Sequence, residues 1–425
     1  MLKGKLKIKI KGDKVIWMIF ILLMLISCIE VYSTLGKTVY EKQGGSPFGM
    51  FAKHIAILCA GTCLVYIVHT VKYTLFSRWA KSGLFFSYIL LIITLLIGSI
   101  GTKSAARWLT IPLIGQFQPS EIVKIVLIVY VARTLALHQD KIKSLDVFKR
   151  LMVPIILICA LIFPENFSTA AILFLICLCM MFIGGINLKY IGMLIGVGVL
   201  VIIIGFTVMK SNPNLLARSD TWVKRVESFT NNDMEAITQS NQARMAIATG
   251  GILGKMVGNT TQARFLSESH NDFIFSIIIE EGGIFLGLLV IILYLVLLYR
   301  GILIARRCKG FFGAFCSIGL VMMIVFQAMI NMCVSVSLMP VTGQTLPFIS
   351  YGGTSFIFSC VALGIILSIS ADTNKEYEQE ALATDVDTSL DEKTVKAVKQ
   401  TQENNQETQQ DNNTQKTNNQ ENGAE

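Results

Sequence analysis

The chain consists of long apolar runs separated by polar segments. Each run is close to the roughly 17 to 25 residues that an α-helix needs to cross the hydrocarbon core of a bilayer. The pattern predicts ten membrane spans, at about residues 15–33, 51–71, 82–101, 121–138, 151–164, 169–186, 189–209, 272–299, 311–335 and 355–371. The fifth run is short and starts near Pro154, so we expect it to be tilted, broken or only partly inserted.

The composition agrees with this pattern. Of the 425 residues, 53% are hydrophobic and only 15% are charged, which is not the composition of a soluble globule. The sequence therefore predicts an all-α polytopic membrane protein of about ten transmembrane helices, with re-entrant or irregular outer loops.

The polar segments divide the chain into three parts. A basic segment at residues 1–14 precedes a membrane domain at 15–371, which includes a large loop at about 210–271, and a tail follows at 372–425. The tail is rich in Asn, Gln, Thr and charged residues, so it lacks the apolar surface that would offset its ordering entropy, and we expect it to be disordered. No strong internal repeat is visible, which disfavours the duplicated transporter architectures.

Positive residues predict the orientation. Lysines and arginines concentrate in the N-terminal segment and in alternate short loops, at residues 72–81, 141–150, 189 and 300–309. Positive loops stay in the cytoplasm, so both termini are predicted to be cytoplasmic. The net charge of +9 is then largely a topology signal, and no nucleic-acid partner is needed to explain it. No cleavage pattern follows the first apolar run, so we interpret it as a retained span.

This orientation places the unusual polar segments together on the outer side. They are Arg107-Trp108, Gln118–Glu121, Pro164–Thr169, the loop at about 210–271, and the Gly- and Pro-rich stretch Pro340–Gly353. Loops of this kind can lie at membrane depth where protein or trapped water satisfies their backbone groups. Convergence on one face indicates a functional site.

Several of these motifs resemble those of one known family. They are Arg107-Trp108, Gln118-Pro119-Ser120-Glu121 with Lys124, Ala246–Gly251 leading to Gly254-Lys255, His270–Phe275 with Glu280-Glu281-Gly282, and Leu346–Gly353. Over roughly residues 15–371, the chain resembles the shape, elongation, division and sporulation (SEDS) proteins.

The resemblance implies an enzyme of bacterial cell-wall synthesis. It implies a peptidoglycan glycosyltransferase that polymerises lipid II, the lipid-linked disaccharide peptide, at the outer face of the cytoplasmic membrane during septal synthesis. An elongation-type polymerase is the alternative within the family. The implied partners are lipid II, a class B penicillin-binding protein that acts as transpeptidase, other division proteins and membrane lipids.

Asp272 matches the aspartate that the family is thought to use in catalysis. Joining sugars requires a base for the acceptor hydroxyl while a diphosphate-lipid leaves the donor. Partial desolvation would make the carboxylate a stronger base, whereas the helix N-terminus would stabilise its anion, so the two effects oppose each other. The alternative is that Asp272 is only the N-cap of the eighth span.

A wider set of residues is predicted to contact the substrate. The predicted set is Arg107, Trp108, Gln118, Ser120, Glu121, Lys124, Glu165, Asn166, Arg225, Lys255, His270, Ser350 and Tyr351. Further outer cations that could meet the departing diphosphate are Arg218, Lys224, Arg244 and Arg264. Each cation could instead face lipid headgroups or solvent. Lys124 lies three residues after Glu121, so the two can pair on one helix face.

Two acids and a histidine have other predicted roles. Glu280 and Glu281 lie about 12 to 14 Å along the helix from Asp272, so we expect them to hold spans together by hydrogen bonding. His270 could shuttle protons or bind a metal with Asp272. The resemblance raises Mg²⁺ or Mn²⁺ as a cofactor, but no ligand set of recognised spacing appears, and no metal ligand is predicted.

The chain departs from the family pattern at several positions. Asn166 stands where the family usually has an acid, Asn271 where it has Thr, Ser267 where it has Pro, and Thr342 where some members have Lys. If the acid is chemical, Glu165 could replace it; if it is structural, Asn166 can still hydrogen-bond.

Two other function classes compete with the enzyme. A flippase for the lipid-linked precursor would also use ten spans and intramembrane carboxylates, but alternating access predicts functional polar groups on both faces. A scaffold that only recruits division proteins would explain the tail but not the polar motifs on the outer side.

Overall fold

The computed structural model describes residues 11–42, 47–100, 109–111, 115–196, 198, 207, 234–262, 266 and 271–375. The chain divides into two compact units, residues 1–371 and 372–425, and of the second only residues 372–375 are described. The predicted disorder of the tail beyond them lies outside the described residues, as does half of the predicted loop at 210–271.

The fold is helical, with one small hairpin. The helices are α1 (Lys14–Lys42), α2 (Pro47–Thr70), α3 (Tyr73–Ile100), α4 (Pro119–Leu137), α5 (Leu145–Ile162), α6 (Phe167–Ile183), α7 (188–196), α8 (Met234–Gly250), α9 (Ile274–Arg307), α10 (Phe311–Ser335) and α11 (Gly353–Lys375). A short 3₁₀ turn, Gln139–Lys141, follows α4. The prediction of a polytopic helical membrane protein is confirmed.

Six helices of the described chain are long and apolar enough to cross a membrane: α1, α2, α3, α9, α10 and α11. The helices α4, α5 and α6 match predicted spans but have only 19, 18 and 17 residues. Both α4 and α5 also carry three charged side chains. The seventh predicted span is helical over residues 188–196 and then leaves the described residues. The predicted total of ten spans therefore stays a prediction.

The helices α10 and α11 form the interior of the described domain. Within their most apolar stretches, 72% of residues are buried, against 28% in α2 and α3. The helix α10 packs against α9, α4 and α6. Side chains on α10 are therefore placed to reach the elements that surround them.

A hairpin that the hydrophobic pattern did not predict lies before α4. Strand β1 (Leu109–Ile111) pairs antiparallel with β2 (Gly115–Phe117), with Leu109 opposite Phe117. Each strand has three residues, too few for an alternating pattern to be recognised in the sequence.

The long helix α9 is broken at Gly283, where φ is 71° and ψ is −176°. The turn after α8 fills the break. Backbone N–H groups of Lys255 and Met256 donate to the carbonyl oxygens of Glu280 and Glu281, at 2.9 and 3.0 Å. In return, the Ile284 N–H donates to the Gly251 carbonyl at 3.1 Å. The groups freed by the break thus gain partners, which a buried backbone requires.

At its other end α9 is tied to α1. Asp13 lies just before α1, and its Oδ1 accepts from the N–H of Val15 at 2.8 Å. Its Oδ2 accepts from Arg300 Nε, also at 2.8 Å, and from the Arg300 terminal nitrogen. Arg300, which the sequence indicated only as a topology signal, therefore also fixes the start of α1.

We expect a side chain at Gly254 to disrupt this break. A Cβ there would lie 2.1 Å from the Glu281 carbonyl oxygen and 2.5 Å from the Gly283 nitrogen. Gly251 is the matched control, because its φ is also positive but nothing lies within 4 Å. We predict that Gly254→Ala lowers the free energy of unfolding by at least about 2 kcal/mol more than Gly251→Ala. Equal losses, measured by unfolding in detergent, would show that the two segments are not in contact.

Candidate functional site

Asp272 lies in a turn immediately before α9. The N-cap of that helix is Phe273, which makes no side-chain capping bond, so the alternative that Asp272 is the N-cap is wrong. The Asp272 carboxylate is half-buried and faces Gly343, where a Cβ would lie 3.7 Å from its Oδ2. Gly343 has a φ of +69°.

Asn331, on α10, fixes the backbone on both sides of this contact. Its Nδ2 donates to the Asp272 carbonyl oxygen at 2.9 Å and to the Gln344 carbonyl oxygen at 2.7 Å. One buried amide therefore sets the position of the acid relative to the loop that faces it.

The Gln344 side chain extends this network to α6. Its Nε2 donates to Thr169 Oγ1 at 2.9 Å, and the N–H of Thr169 donates to Asn166 Oδ1 at 3.2 Å. Asn166 is the N-cap of α6. Asn and Asp are nearly equivalent at an N-cap, so this geometry supports the structural explanation for an amide in place of the family's usual acid.

A buried ion pair lies on α4, next to α10. Lys124 Nζ is 2.9 Å from Glu121 Oε1, and the two side chains are only 4% and 8% exposed. Lys124 also donates to Gln327 Oε1 at 3.2 Å. The Gln327 amide in turn donates to the Thr345 carbonyl oxygen at 3.1 Å. The predicted pairing of Glu121 with Lys124 is confirmed, and α10 connects the pair to the loop at 340–353.

Four other predicted contact residues lie around these elements. Gln118 is the N-cap of α4, and its Nε2 donates to Ser120 Oγ at 3.0 Å. Ser350 Oγ donates to the Asn271 carbonyl oxygen at 2.8 Å, beside Asp272. Burial raises the pKa of the Tyr351 hydroxyl, so it stays protonated near neutral pH.

Lys255 forms an ion pair with Glu280 of α9. Its Nζ lies 2.9 Å from Glu280 Oε1 and 2.9 Å from Thr261 Oγ1. Glu280 is fully buried and also accepts from Thr260 Oγ1 at 2.6 Å and from the Thr261 N–H at 2.9 Å. Lys255 therefore neutralises Glu280, about 12 Å along α9 from Asp272.

Glu281 connects α9 to α1. Its Oε1 accepts from the Ser33 hydroxyl and, at 3.3 Å, from the Gly258 N–H. Both glutamates thus join neighbouring segments by hydrogen bonds, the geometry that the structural role requires.

Several predicted site residues lie outside the described residues: Arg107, Trp108, Arg218, Lys224, Arg225, Arg264, Ser267 and His270. Of the others, Glu165 is half-buried in the turn before α6, and Arg244 is exposed on α8. Among the described side chains, Asp272, Asn166, Ser350, Glu121 and Lys124 are joined through α10 and the loop at 340–353.

Sequence reasoning missed Gln327 and Asn331, which join these elements, and it did not single out Gln344 and Thr345 within the stretch Pro340–Gly353. A signal was present, because Gln327 and Asn331 are four residues apart in an otherwise apolar run and so lie on one helix face. Glu30 was also missed. It is fully buried in α1, one turn before Ser33, and both carboxylate oxygens lack a hydrogen-bond partner among the described residues.

This arrangement can support proton transfer next to a charged group. A half-buried carboxylate faces a glycine that leaves room beside it. The buried Lys124 ammonium is paired with Glu121 and donates a hydrogen bond to Gln327 on α10. A carboxylate base and a fixed cationic hydrogen-bond donor are what a reaction needs when a hydroxyl group loses its proton and an anionic group leaves.

Comparison with known proteins gives a consistent result. A family model described as "Cell cycle protein", for FtsW, RodA and SpoVE, matches residues 13–375. A "Probable peptidoglycan glycosyltransferase FtsW" from Trichlorobacter lovleyi is 33% identical over 368 residues, which cover 84% of this chain and 93% of that protein. The "Stage V sporulation protein E" of Bacillus subtilis is 30% identical over 379 residues, covering 85% and 98%.

Solved structures show the same fold. A chain from a study described as "Structural coordination of polymerization and crosslinking by a peptidoglycan synthase complex" has a TM-score of 0.67 at 22% identity, covering 85% of this chain and 98% of that one. The "Rod shape determining protein RodA" of Thermus thermophilus has a TM-score of 0.60 at 20% identity, covering 85% and 97%.

The burial of the ion pair predicts how its members respond to mutation. Lys124→Met leaves the Glu121 carboxylate buried without a cation, which should lower the free energy of unfolding by about 3 to 5 kcal/mol. Adding Glu121→Gln to that variant should recover most of the loss, since no charge is then left unpaired. Unfolding in detergent measures the free energy of unfolding of the single and the double variant. A single variant as stable as the original chain would contradict the burial of the pair.

Proposed function

Because the chain belongs to the FtsW, RodA and SpoVE family of cell cycle proteins, we propose that it is a peptidoglycan glycosyltransferase that polymerises lipid II into glycan strands. The observation that carries this proposal is the half-buried Asp272 carboxylate, which faces Gly343. The backbone carbonyl oxygen of Asp272 accepts a hydrogen bond from Asn331 on α10, which fixes the position of the acid. The relatives named as glycosyltransferases match nearly the whole membrane domain, which supports the same activity here.

In the proposed reaction Asp272 is the general base. The acceptor hydroxyl gives its proton to the Asp272 carboxylate while its oxygen attacks the anomeric carbon of the donor. The bond from that carbon to the diphosphate oxygen breaks, and the diphosphate-lipid leaves with the bonding electrons. Lys124 is connected through Gln327 to Thr345, in the loop that faces this acid. In the proposal Lys124 stabilises the charge of the departing diphosphate.

Other residues of the proposed substrate site rest on the sequence alone. Arg107, Trp108, Arg225 and His270 lie outside the described residues, so their contacts with the sugar or diphosphate are proposals from the family motifs. Among the described ones, Gln118, Ser120, Glu165, Ser350 and Tyr351 offer hydroxyl, amide or carboxylate groups to a sugar.

The protein is an integral membrane protein, and we propose that its catalytic face is the outer one. Lysines and arginines in alternate loops support cytoplasmic termini. With that orientation Asp272, the loop at 340–353 and the start of α4 all face outward, where wall sugars are joined. The proposed membrane is the bacterial cytoplasmic membrane.

A transpeptidase partner is also proposed. The solved neighbour belongs to a synthase complex that coordinates polymerisation and crosslinking, which supports a class B penicillin-binding protein as the partner of this chain. The relatives and solved neighbours are named as FtsW, as a stage V sporulation protein and as a rod shape determining protein, and we propose the division role from the FtsW matches.

We propose a divalent cation only as an ion that binds together with the diphosphate of the substrate. Among the described residues, no group of three or more His, Cys, Asp or Glu side chains could hold a metal ion. These side chains do not fit a protein-only metal site, so no step above passes through a cation. Mg²⁺ is commonly held by one carboxylate together with phosphate oxygens.

Chelation during polymerisation tests this proposal. A polymerisation rate that EDTA leaves unchanged would exclude a role for a divalent cation.

Replacing Asp272 tests the function itself. The variant Asp272→Asn keeps the size of the side chain but removes the base, so polymerisation should fall by at least about 100-fold. The assay follows glycan strand length from purified lipid II in the presence of the partner synthase. Asp140→Asn, at an exposed position after α4, is the matched control and should retain the original rate. Full polymerisation by Asp272→Asn, with correct folding, would exclude Asp272 as the base.

A further inference from the structure

The turn that supports Asp272 from the α11 side has a strained backbone. Phe348 is a non-glycine residue with a φ of +68°, a conformation that costs free energy and persists only where the surroundings enforce it. Two backbone bonds close the turn, from the N–H groups of Ile349 and Ser350 to the Leu346 carbonyl oxygen at 3.2 and 3.0 Å. Strain of this kind requires external anchors.

Two neighbouring helices, α1 and α9, supply these anchors. The Tyr294 hydroxyl on α9 donates to the Pro347 carbonyl oxygen, and the Ser27 hydroxyl on α1 donates to the Ile349 carbonyl oxygen at 2.7 Å. The Phe348 ring packs edge-on against Phe20 of α1, with ring centroids 5.4 Å apart. The turn is therefore held from outside at each of its three central residues.

His54 on α2 completes the anchor on Ser27. His54 Nε2 lies 3.0 Å from Ser27 Oγ, and the two residues are only 2% and 0% exposed. The single hydroxyl proton of Ser27 is already given to the Ile349 carbonyl, so Ser27 accepts in its contact with the histidine. His54 is therefore protonated on Nε2, and the bonds run in one direction from His54 to Ser27 to Ile349.

The next residue transmits this anchor to the acid. Ser350 Oγ accepts from the Leu346 N–H at 2.7 Å and donates to the Asn271 carbonyl oxygen at 2.8 Å. Asn271 directly precedes Asp272. The position of the Ile349 carbonyl on one side of the turn thus determines where the backbone before Asp272 can lie.

We propose that Ser27 and His54 are positioning residues for glycosyl transfer, which fix the strained turn at Leu346–Ser350 and through it the Asp272 backbone. This inference rests on the proposed function. His54 orients the serine that holds the turn. Neither residue contacts the reacting groups.

The proposal predicts a loss in turnover rather than in substrate binding. Without the Ser27 hydroxyl the Ile349 carbonyl loses its donor, the turn can relax, and Asp272 moves away from the acceptor hydroxyl. Misplacement by about 1 Å can cost about 100-fold in rate. We therefore expect Ser27→Ala to lower kcat at least about tenfold while KM for lipid II stays within about twofold.

The matched control is Ser87→Ala. Ser87 is equally buried in α3, at 2% exposure, but its hydroxyl donates only to its own helix, at Gly83 O, 2.9 Å away. This variant removes the same atom from a buried position without touching the turn. Its kcat should equal that of the original chain.

Two histidine variants separate positioning from packing. His54→Gln places an amide N–H near the position of Nε2, so it should retain most of kcat, whereas His54→Phe keeps the ring but removes the donor and should lower kcat. The His54 ring also contacts Tyr351, with ring centroids 5.4 Å apart, and the Phe ring keeps this contact. Combining His54→Phe with Ser27→Ala should therefore be no worse than Ser27→Ala alone, because the lost His54 donor acts through the Ser27 bond to Ile349. If Ser27→Ala does not fold, the kcat of His54→Gln compared with that of His54→Phe tests the positioning role.

The outcomes distinguish this inference from the function on which it rests. If the original chain does not polymerise lipid II with its partner, the proposed function fails. If it does, and Ser27→Ala turns over like Ser87→Ala, or His54→Phe turns over like His54→Gln, the positioning role is wrong. Independent multiplicative losses in the double variant would also overturn it.

Discussion

The candidate site depends on two amides that α10 carries inside the most buried part of the domain. Gln327 and Asn331 lie one turn apart, and neither could remain in an apolar interior without hydrogen-bond partners. Gln327 binds the Lys124 ammonium and the Thr345 carbonyl, while Asn331 binds the carbonyls of Asp272 and Gln344. The partners of their N–H and carbonyl groups come from three separate segments, so these bonds form only when the segments are assembled. The Asn331 Oδ1 has no hydrogen-bond partner among the described residues.

Backbone irregularity elsewhere in the fold follows the same constraint. The break at Gly283 releases carbonyls and an N–H group that the turn after α8 satisfies. The strained turn around Phe348 is held by side chains from α1 and α9. In a membrane these groups have no bulk water as an alternative partner, so each irregular segment is fixed by a specific neighbour. This explains how loops at the depth of the helices can still hold a carboxylate in a defined place.

The sequence predicted the helical membrane fold well, because a long apolar run has one common meaning in a chain of this composition. It also predicted the pairing of Glu121 with Lys124 and the bridging hydrogen bonds of Glu280, whereas the catalytic role of Asp272 stays a prediction. It did not predict the break at Gly283 or the hairpin before α4. The first depends on a contact with a distant turn, and the second has strands too short to show a period.

The joining residues were missed for a related reason. An amide in an apolar run signals a buried polar contact, but the sequence does not say which of many loops supplies the partner. Asn166 shows the same limit, since the sequence left a chemical and a structural role open at this position and the structure places it at the N-cap of α6. A charge pair with helical spacing was easier to predict from the sequence, because both partners lie on one helix.

The most direct test of this account is the rate of glycan polymerisation by the Asn331→Leu variant, together with a measurement that shows whether the variant is folded. Leucine has nearly the same volume but donates no hydrogen bond, so Asp272 and the loop at 340–353 would lose their common support. The account predicts a folded protein whose polymerisation falls by about 100-fold. A folded variant that polymerises lipid II at the original rate would contradict the claim that α10 positions the acid.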